Sequence, residues 1–104
     1  MALIANLQHF LDEYGDIPDD LPGPARKIAL FLGSVAAWVT INPAARFNQT
    51  NVPCRRSPGH RLCTGTVFAE LDSDGATIAW ECSVCGDNGL IRGWEGTMWD
   101  RRRG

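Results

Sequence analysis

The feature that most constrains this chain is its four cysteines, Cys54, Cys63, Cys82 and Cys85. They bracket residues 66–81, which alternate apolar and polar side chains on both sides of an Asp-Ser-Asp-Gly sequence at 72–75. This pattern predicts a β-hairpin with a turn at 72–75. Folding the hairpin brings its two open ends together, and with them the four sulfurs. A tetrahedral site with sulfurs about 2.3 Å from zinc needs that convergence. We therefore expect the four cysteines to bind Zn²⁺.

The two cysteine pairs differ in spacing. Cys82 and Cys85 form a CxxC motif followed by Gly86, which can adopt a positive φ and turn the following amides toward the thiolates. Residues 55–62 separate Cys54 from Cys63, whereas about two to four residues are usual between paired zinc ligands. His60 lies in this long loop and is an alternative ligand that would replace Cys54 in a Cys₃His site. Iron also suits four sulfurs, but the rubredoxin pattern has two CxxCG arms, so zinc is favoured.

Redox chemistry and disulfide formation are the two other interpretations of these cysteines. A strand that runs into Cys82 and Cys85 is faintly similar to thioredoxin, where the first cysteine caps a helix. Here the sequence GDNG at 86–89 predicts a turn in place of that helix. Disulfides are typical of exported proteins, and residues 1–15 lack the basic region and cleavage site of a signal peptide. We therefore expect a cytoplasmic protein with metal-bound cysteines.

The second half of the chain resembles a zinc ribbon, because two cysteines, a hairpin and the CSVCG knuckle at 82–86 follow one another. More closely, CSVCGDNGLIRGWEGTMWD at 82–100 resembles the C-terminal segment of a group of small, uncharacterised bacterial proteins. In that group a CxxCGDxGxIxGWxGTxWD tail follows an arginine-rich cysteine loop. The resemblance covers residues 54–100. It implies a zinc-ribbon-like C-terminal half and supplies no activity.

The N-terminal part of the chain predicts two helices. A 3–4 repeat of apolar residues indicates one helical stripe, made of Leu3, Ile4, Leu7, Phe10, Leu11 and Tyr14. Gly15 is a natural end for this helix, and residues 15–23 form an acidic connector rich in proline and glycine. Pro24 suits the first turn of a second helix, which Asn42-Pro43 ends after Ile41.

The second helix has no charged residue from 28 to 41. At about 1.5 Å per residue this stretch spans roughly 21 Å, short of the ~30 Å hydrocarbon core, so a membrane span is not expected. A helix that is apolar nearly all round needs burial on nearly all sides. A ridge of small residues lies along it: Ala25, Ala29, Gly33 and Ala37. We predict a homodimer through residues 24–41, with enclosure of the helix within one chain as the alternative.

The sequence thus predicts an α+β fold with two segments. Residues 1–46 are the helical segment, a helical hairpin. Residues 47–104 are a zinc-ribbon-like domain with a small three-stranded antiparallel sheet, whose third strand is expected from Leu90 to Trp94. Residues 43–53 are predicted to be a polar linker.

A surface for recognition is predicted near the cysteines. Its members combine basic and aromatic side chains: Arg55, Arg56, Arg61, Trp94 and Trp99. Bases stack on exposed aromatics and arginines hold phosphates, so this surface would suit a nucleic acid. The alternative is that both tryptophans form the core of the ribbon, since small ribbons have few other apolar residues. A net charge of -2 gives no overall attraction to nucleic acid.

Features of an enzyme are scarce in this sequence. Four thiolates would close the shell of a zinc ion and leave no position for water, and the two histidines, His9 and His60, lie in different segments. We therefore predict a non-enzymatic zinc-binding module that recognises a macromolecule, either nucleic acid or protein. One alternative is a purely structural zinc in a protein with an interaction or dimerisation role. Another is a thiol redox protein that uses Cys82 and Cys85.

Overall fold

The structure, a computed structural model, describes residues 2–41, 48–54 and 63–102 of the chain. One α-helix, one short 3-10 helix and five strands are found among these residues. In chain order they are β1 (Ala2–Asn6), the 3-10 helix (Leu7–Phe10), α1 (Gly23–Ile41), β2 (Asn48–Pro53), β3 (Thr66–Leu71), β4 (Ile78–Cys82) and β5 (Asn88–Arg92).

The five strands form one mixed sheet in the order β1-β5-β4-β3-β2. β3 and β4 are the arms of the predicted hairpin, with Leu71 opposite Ile78 beside the turn and Val67 opposite Cys82 at the open end. β5 returns antiparallel beside β4. β1 then pairs parallel with β5, so that Ile4 lies opposite Leu90. The sheet therefore contains strands from both predicted segments, 1–46 and 47–104.

The predicted N-terminal helical hairpin is wrong, because its first helix is a strand followed by a 3-10 turn. Residues 2–6 pair with β5, and Asn6 then ends the strand by accepting a hydrogen bond from the Gln8 amide at 2.9 Å. Of the predicted helical stripe, Leu7 is fully buried, whereas Ile4 is 71% and Tyr14 80% exposed. Pairing with a neighbouring strand satisfies the backbone of residues 2–6 better than a short isolated helix, which is marginal in water.

The predicted three-stranded antiparallel sheet is also wrong, in its number of strands and in its pairing. β1 adds a parallel strand at one edge, and β2 adds an antiparallel strand at the other with an irregular register between Gln49 and Pro53. β2 lies within the predicted polar linker, residues 43–53. Its buried Thr50 hydroxyl donates to the Val67 carbonyl at 2.7 Å, so a polar side chain adds to the attachment of this edge strand.

The long apolar helix is confirmed, with bounds of Gly23–Ile41 against the predicted 24–41. Its buried face includes Leu32, Val35 and Val39, which belong to the main hydrophobic core. Phe31 meets Trp80 of β4 edge to face, with the ring centroids 5.2 Å apart. The helix is long and apolar enough to cross a membrane, and 44% of its most apolar 18-residue stretch is buried inside the fold. Length and composition alone do not separate a core helix from a membrane span.

The C-terminal residues cover α1 from within the same chain. Trp99 is 8% exposed, and its indole lies directly over Gly33 of α1. The Thr40 hydroxyl donates to the Trp99 carbonyl and accepts from the Arg101 amide. Ala29, also part of the predicted ridge of small residues, is completely buried. This part of the ridge is therefore covered without a second copy of the chain.

Candidate metal centre

The four cysteines come from four places on the sheet. Cys54 directly follows β2, and Cys63 lies three residues before β3. Cys82 is the last residue of β4, and Cys85 lies in the turn that leads to β5. The hairpin of β3 and β4 brings these positions to one end of the sheet, as the sequence predicts.

The sulfur atoms of the four cysteines lie within 4.8 Å of one another. Cys54 Sγ is 3.6 Å from Cys85 Sγ, and Cys63 Sγ is 3.7 Å from Cys82 Sγ. In a tetrahedron with Zn–S bonds of about 2.3 Å, the sulfurs are about 3.8 Å apart. The four cysteines are thus positioned to hold a metal ion, and their spacing is compatible with zinc.

Backbone hydrogen bonds fix both arms of the centre, of which the first contains Cys54 and Cys63 and the second contains Cys82 and Cys85. In the second arm, the Cys82 amide donates to the Asp87 carbonyl at 2.7 Å, and the Gly86 amide donates to the Cys82 carbonyl at 3.0 Å. Gly86 has a φ of 77°, a conformation that favours glycine, as the CxxCG motif predicts. In the first arm, the Cys54 amide donates to the Gly65 carbonyl at 2.9 Å.

The surroundings of two thiols shift their pKa values in opposite directions. Burial raises the pKa of the Cys82 thiol, but the amides of Cys85 and Val84 outweigh this effect and lower the pKa to about 7. At Cys63 the Gly65 amide lowers the pKa, but burial and the thiols of Cys82 and Cys85 together raise it. A bound cation would override the raised pKa of Cys63, because a thiol that coordinates a metal is deprotonated outright. Donors aimed at sulfur are what a thiolate metal site requires.

Gly65 is a part of the site that the sequence analysis missed. Its amide donates to Cys63 Sγ at 3.4 Å. A Cβ atom at this position would lie 2.7 Å from Cys82 Sγ and 2.8 Å from Val84 Cγ2. The sequence carries a signal for this role, since a glycine two residues after Cys63 parallels the glycine directly after Cys85.

Gly65→Ala is expected to lower the affinity for zinc by about 10–100-fold, the usual cost of disturbing the shell around metal ligands. The new methyl group would push against the Cys82 sulfur and displace it from the tetrahedron. Competition with a chromogenic chelator measures this affinity.

Gly75→Ala is the matched control for Gly65→Ala, because Gly75 lies in the turn of the hairpin, at the opposite end from Cys82. A Cβ at Gly75 meets no atom within 4 Å, so its cost is the positive φ alone, about 1–2 kcal/mol, and the affinity for zinc should not change. An affinity for zinc that is unchanged in Gly65→Ala would show that this glycine does not position Cys82.

Two side chains of the predicted recognition surface lie in the core. Trp94 is fully buried, and its indole N–H donates to the Ala76 carbonyl at 2.7 Å. The Arg102 guanidinium lies over the Trp94 ring, 4.6 Å from its centroid. Trp99 covers Gly33, as described above. Neither ring presents a face on which a base could stack.

The remaining residues of that surface, Arg55, Arg56 and Arg61, lie outside the described residues, and so does the alternative ligand His60.

An apolar pocket of about 380 Å³ borders one side of the centre. It is lined by residues of α1, of β2 and of the metal centre: Leu30, Phe31, Ser34, Val52, Pro53, Cys54 and Cys63. Cys54 and Cys63 therefore line the same pocket as residues of α1. This places the metal centre next to the hydrophobic core that holds the helix on the sheet.

Comparison of the chain with protein-family models, with curated proteins and with solved structures finds no match. The resemblance of residues 54–100 to small bacterial proteins with a CxxCGDxGxIxGWxGTxWD tail stays a prediction.

Proposed function

We propose that this chain is a zinc-binding protein in which Cys54, Cys63, Cys82 and Cys85 hold one structural Zn²⁺. The supporting observation is the convergence of four sulfurs within 4.8 Å, with two contacts near the edge length of a zinc–thiolate tetrahedron. Thiolates favour zinc over harder cations such as magnesium or calcium.

The proposed role of the zinc is to stabilise the fold and not to catalyse a reaction. A catalytic zinc keeps one position open for water, whereas four thiolates close the shell. Three of the four cysteines are buried, which suits a centre shielded from solvent. When bound, the metal supplies a crosslink between the end of β2, the start of β3 and the end of β4. A small domain with a modest core gains much from such a crosslink.

Interaction with a protein is the recognition role that we propose. A nucleic-acid role loses support because Trp94 and Trp99 are buried. α1 meanwhile exposes two large apolar side chains, Leu30 at 49% and Ile41 at 69%. A homodimer through residues 24–41 would use these exposed residues, since Ala29 and Gly33 are covered within the chain.

Native mass spectrometry of the purified protein tests both parts of this proposal. We expect a mass that corresponds to one zinc ion per chain, since the described residues hold one cluster of four cysteines. The same spectrum reports whether the protein is a monomer or a dimer at the concentration used. A protein without metal that carries a disulfide between Cys82 and Cys85 would contradict the zinc proposal and support a thiol redox protein.

A further inference from the structure

The four cysteines of the centre differ in their access to solvent. Cys54, Cys63 and Cys82 are at most 9% exposed, whereas Cys85 is only partly buried. Its neighbour Val84 is 64% exposed, so the tip of the CxxC turn faces solvent. In a zinc-loaded centre all four cysteines would be thiolates. Exposure therefore decides which of them is oxidised first, and an oxidant in solution reaches Cys85 before the other three.

Cys85 also has a second cysteine within reach. Its Sγ lies 3.6 Å from Cys54 Sγ, and Cys82 Sγ lies 3.7 Å from Cys63 Sγ. Both contacts join one arm of the centre to the other. A disulfide between Cys54 and Cys85 would therefore need the two sulfurs to approach from 3.6 Å to about 2.05 Å.

We propose that Cys54 and Cys85 form a peroxide-sensitive pair whose oxidation releases the zinc ion. This inference rests on the proposed zinc site. The disulfide that forms first would join Cys54 of one arm to Cys85 of the other. The CxxC motif alone would instead suggest a disulfide between Cys82 and Cys85.

The oxidant is hydrogen peroxide, and its reaction with the pair is balanced in two steps. The Cys85 thiolate attacks peroxide, so that an S–O bond forms, the O–O bond breaks and hydroxide leaves, which takes a proton to become water. The Cys54 thiolate then attacks the sulfenic acid sulfur, so that the S–S bond forms and a second hydroxide leaves and becomes water. Two thiolates are oxidised by two electrons in total, and one peroxide is reduced to two waters.

Loss of two thiolates leaves Cys63 and Cys82 as the remaining ligands. A zinc ion with half of its protein ligands dissociates, and the stabilisation that it gives to the fold is lost with it. A dithiol reductant reverses the disulfide, because sulfenic acids and disulfides are the reversible stages of cysteine oxidation. With zinc present, the reduced protein then recovers its metal.

Titration of the zinc-loaded protein with hydrogen peroxide tests this inference. Zinc release is followed with a chromogenic chelator, and the disulfides formed are mapped by peptide mass spectrometry after alkylation of the free thiols. We expect one zinc released for each peroxide consumed, with Cys54–Cys85 as the first disulfide. A first disulfide between Cys82 and Cys85 would overturn the inference, and so would overoxidised Cys85 or retention of zinc in excess peroxide. Failure of the proposed zinc site itself is visible beforehand, as absence of zinc from the untreated protein.

Two variants test the role of Cys85. Cys85→His removes the accessible thiolate but leaves a Cys₃His set, which also binds zinc, and it is expected to slow peroxide-driven zinc release on the order of tenfold. Ser83→Ala is the matched control, because it changes an exposed side chain of the same turn and keeps all four thiols, so it should release zinc at the wild-type rate. Equal rates in the two variants would overturn the assignment of Cys85. The disulfide map of the wild-type protein decides the pairing even if either variant fails to bind zinc.

Discussion

Removal of zinc with a chelator is expected to unfold most of this chain in one cooperative transition. Structural zinc contributes about 10–16 kcal/mol of apparent binding free energy at neutral pH, comparable to or above the ~5–15 kcal/mol stability of a whole domain. The centre joins β2, β3 and β4 at one end of the sheet, and Cys54 shares a pocket wall with α1. We therefore expect α1 to lose its structure together with the sheet. Circular dichroism during chelation, with tryptophan fluorescence in parallel, measures both.

Cys82→Ser is expected to have the same effect as the chelator. Cys82 is fully buried and is one of the four proposed ligands, so a serine there would remove a thiolate from the centre. Ser83→Ala is the matched control, because residue 83 is exposed in the same turn. It should keep the zinc content and the thermal midpoint of the wild type. A chelated protein that melts at the wild-type temperature would contradict a structural role for the metal.

The convergence of the four cysteines could be predicted from the sequence because its determinants are local. The turn at 72–75 fixes the hairpin, and the hairpin alone brings Cys63 and Cys82 to the same end of the sheet. Gly86 after Cys85 is equally local, and its positive φ is the expected one. The long first arm could be completed only in three dimensions, where the Cys54 amide meets the Gly65 carbonyl.

The N-terminal strand could not be predicted in the same way. Leu3, Ile4 and Leu7 fit a helical repeat, and the sequence near them gives no reason to prefer a strand. Residues 2–6 form a strand because they pair in parallel with residues 88–92 of β5, at the edge of the sheet. Two parallel strands are joined by a long connection. The partner of such a strand is therefore far away in the sequence, and a local pattern of residues does not indicate it.

The edge strand β2 was missed for a different physical reason. Its sequence, NQTNVP, is polar and ends in proline, which is depleted in strands. An edge strand tolerates proline, and here the register is irregular between Gln49 and Pro53. The buried Thr50 hydroxyl reaches the Val67 carbonyl and accepts from the Val52 amide, so its polarity is satisfied inside the fold.

Gly33→Ala is expected to destabilise the fold, although the same change stabilises most helices. Alanine exceeds glycine in helix propensity by about 1 kcal/mol. At Gly33, however, the new Cβ would lie 2.6 Å from Trp99 Cδ2 and closer still to Nε1 and Cε2. Overpacking of a core costs about 1–3 kcal/mol, and the rigid indole can yield only by leaving its buried site. We therefore expect a net loss of up to about 2 kcal/mol in the free energy of unfolding of the zinc-loaded protein, measured by denaturant titration.

A double-mutant cycle with Trp99→Ala shows whether the indole causes this loss. Trp99→Ala alone is expected to cost about 3–5 kcal/mol, since a buried tryptophan is removed. In that background Gly33→Ala meets no ring, so the second substitution should be neutral or stabilising by up to about 1 kcal/mol. Gly23→Ala is the matched control, because a Cβ there meets no atom within 4 Å. A loss in Gly33→Ala that persists without the indole would contradict the contact. If Gly33→Ala is neutral in the wild-type chain and weakens a dimer, the ridge faces a second copy instead of Trp99.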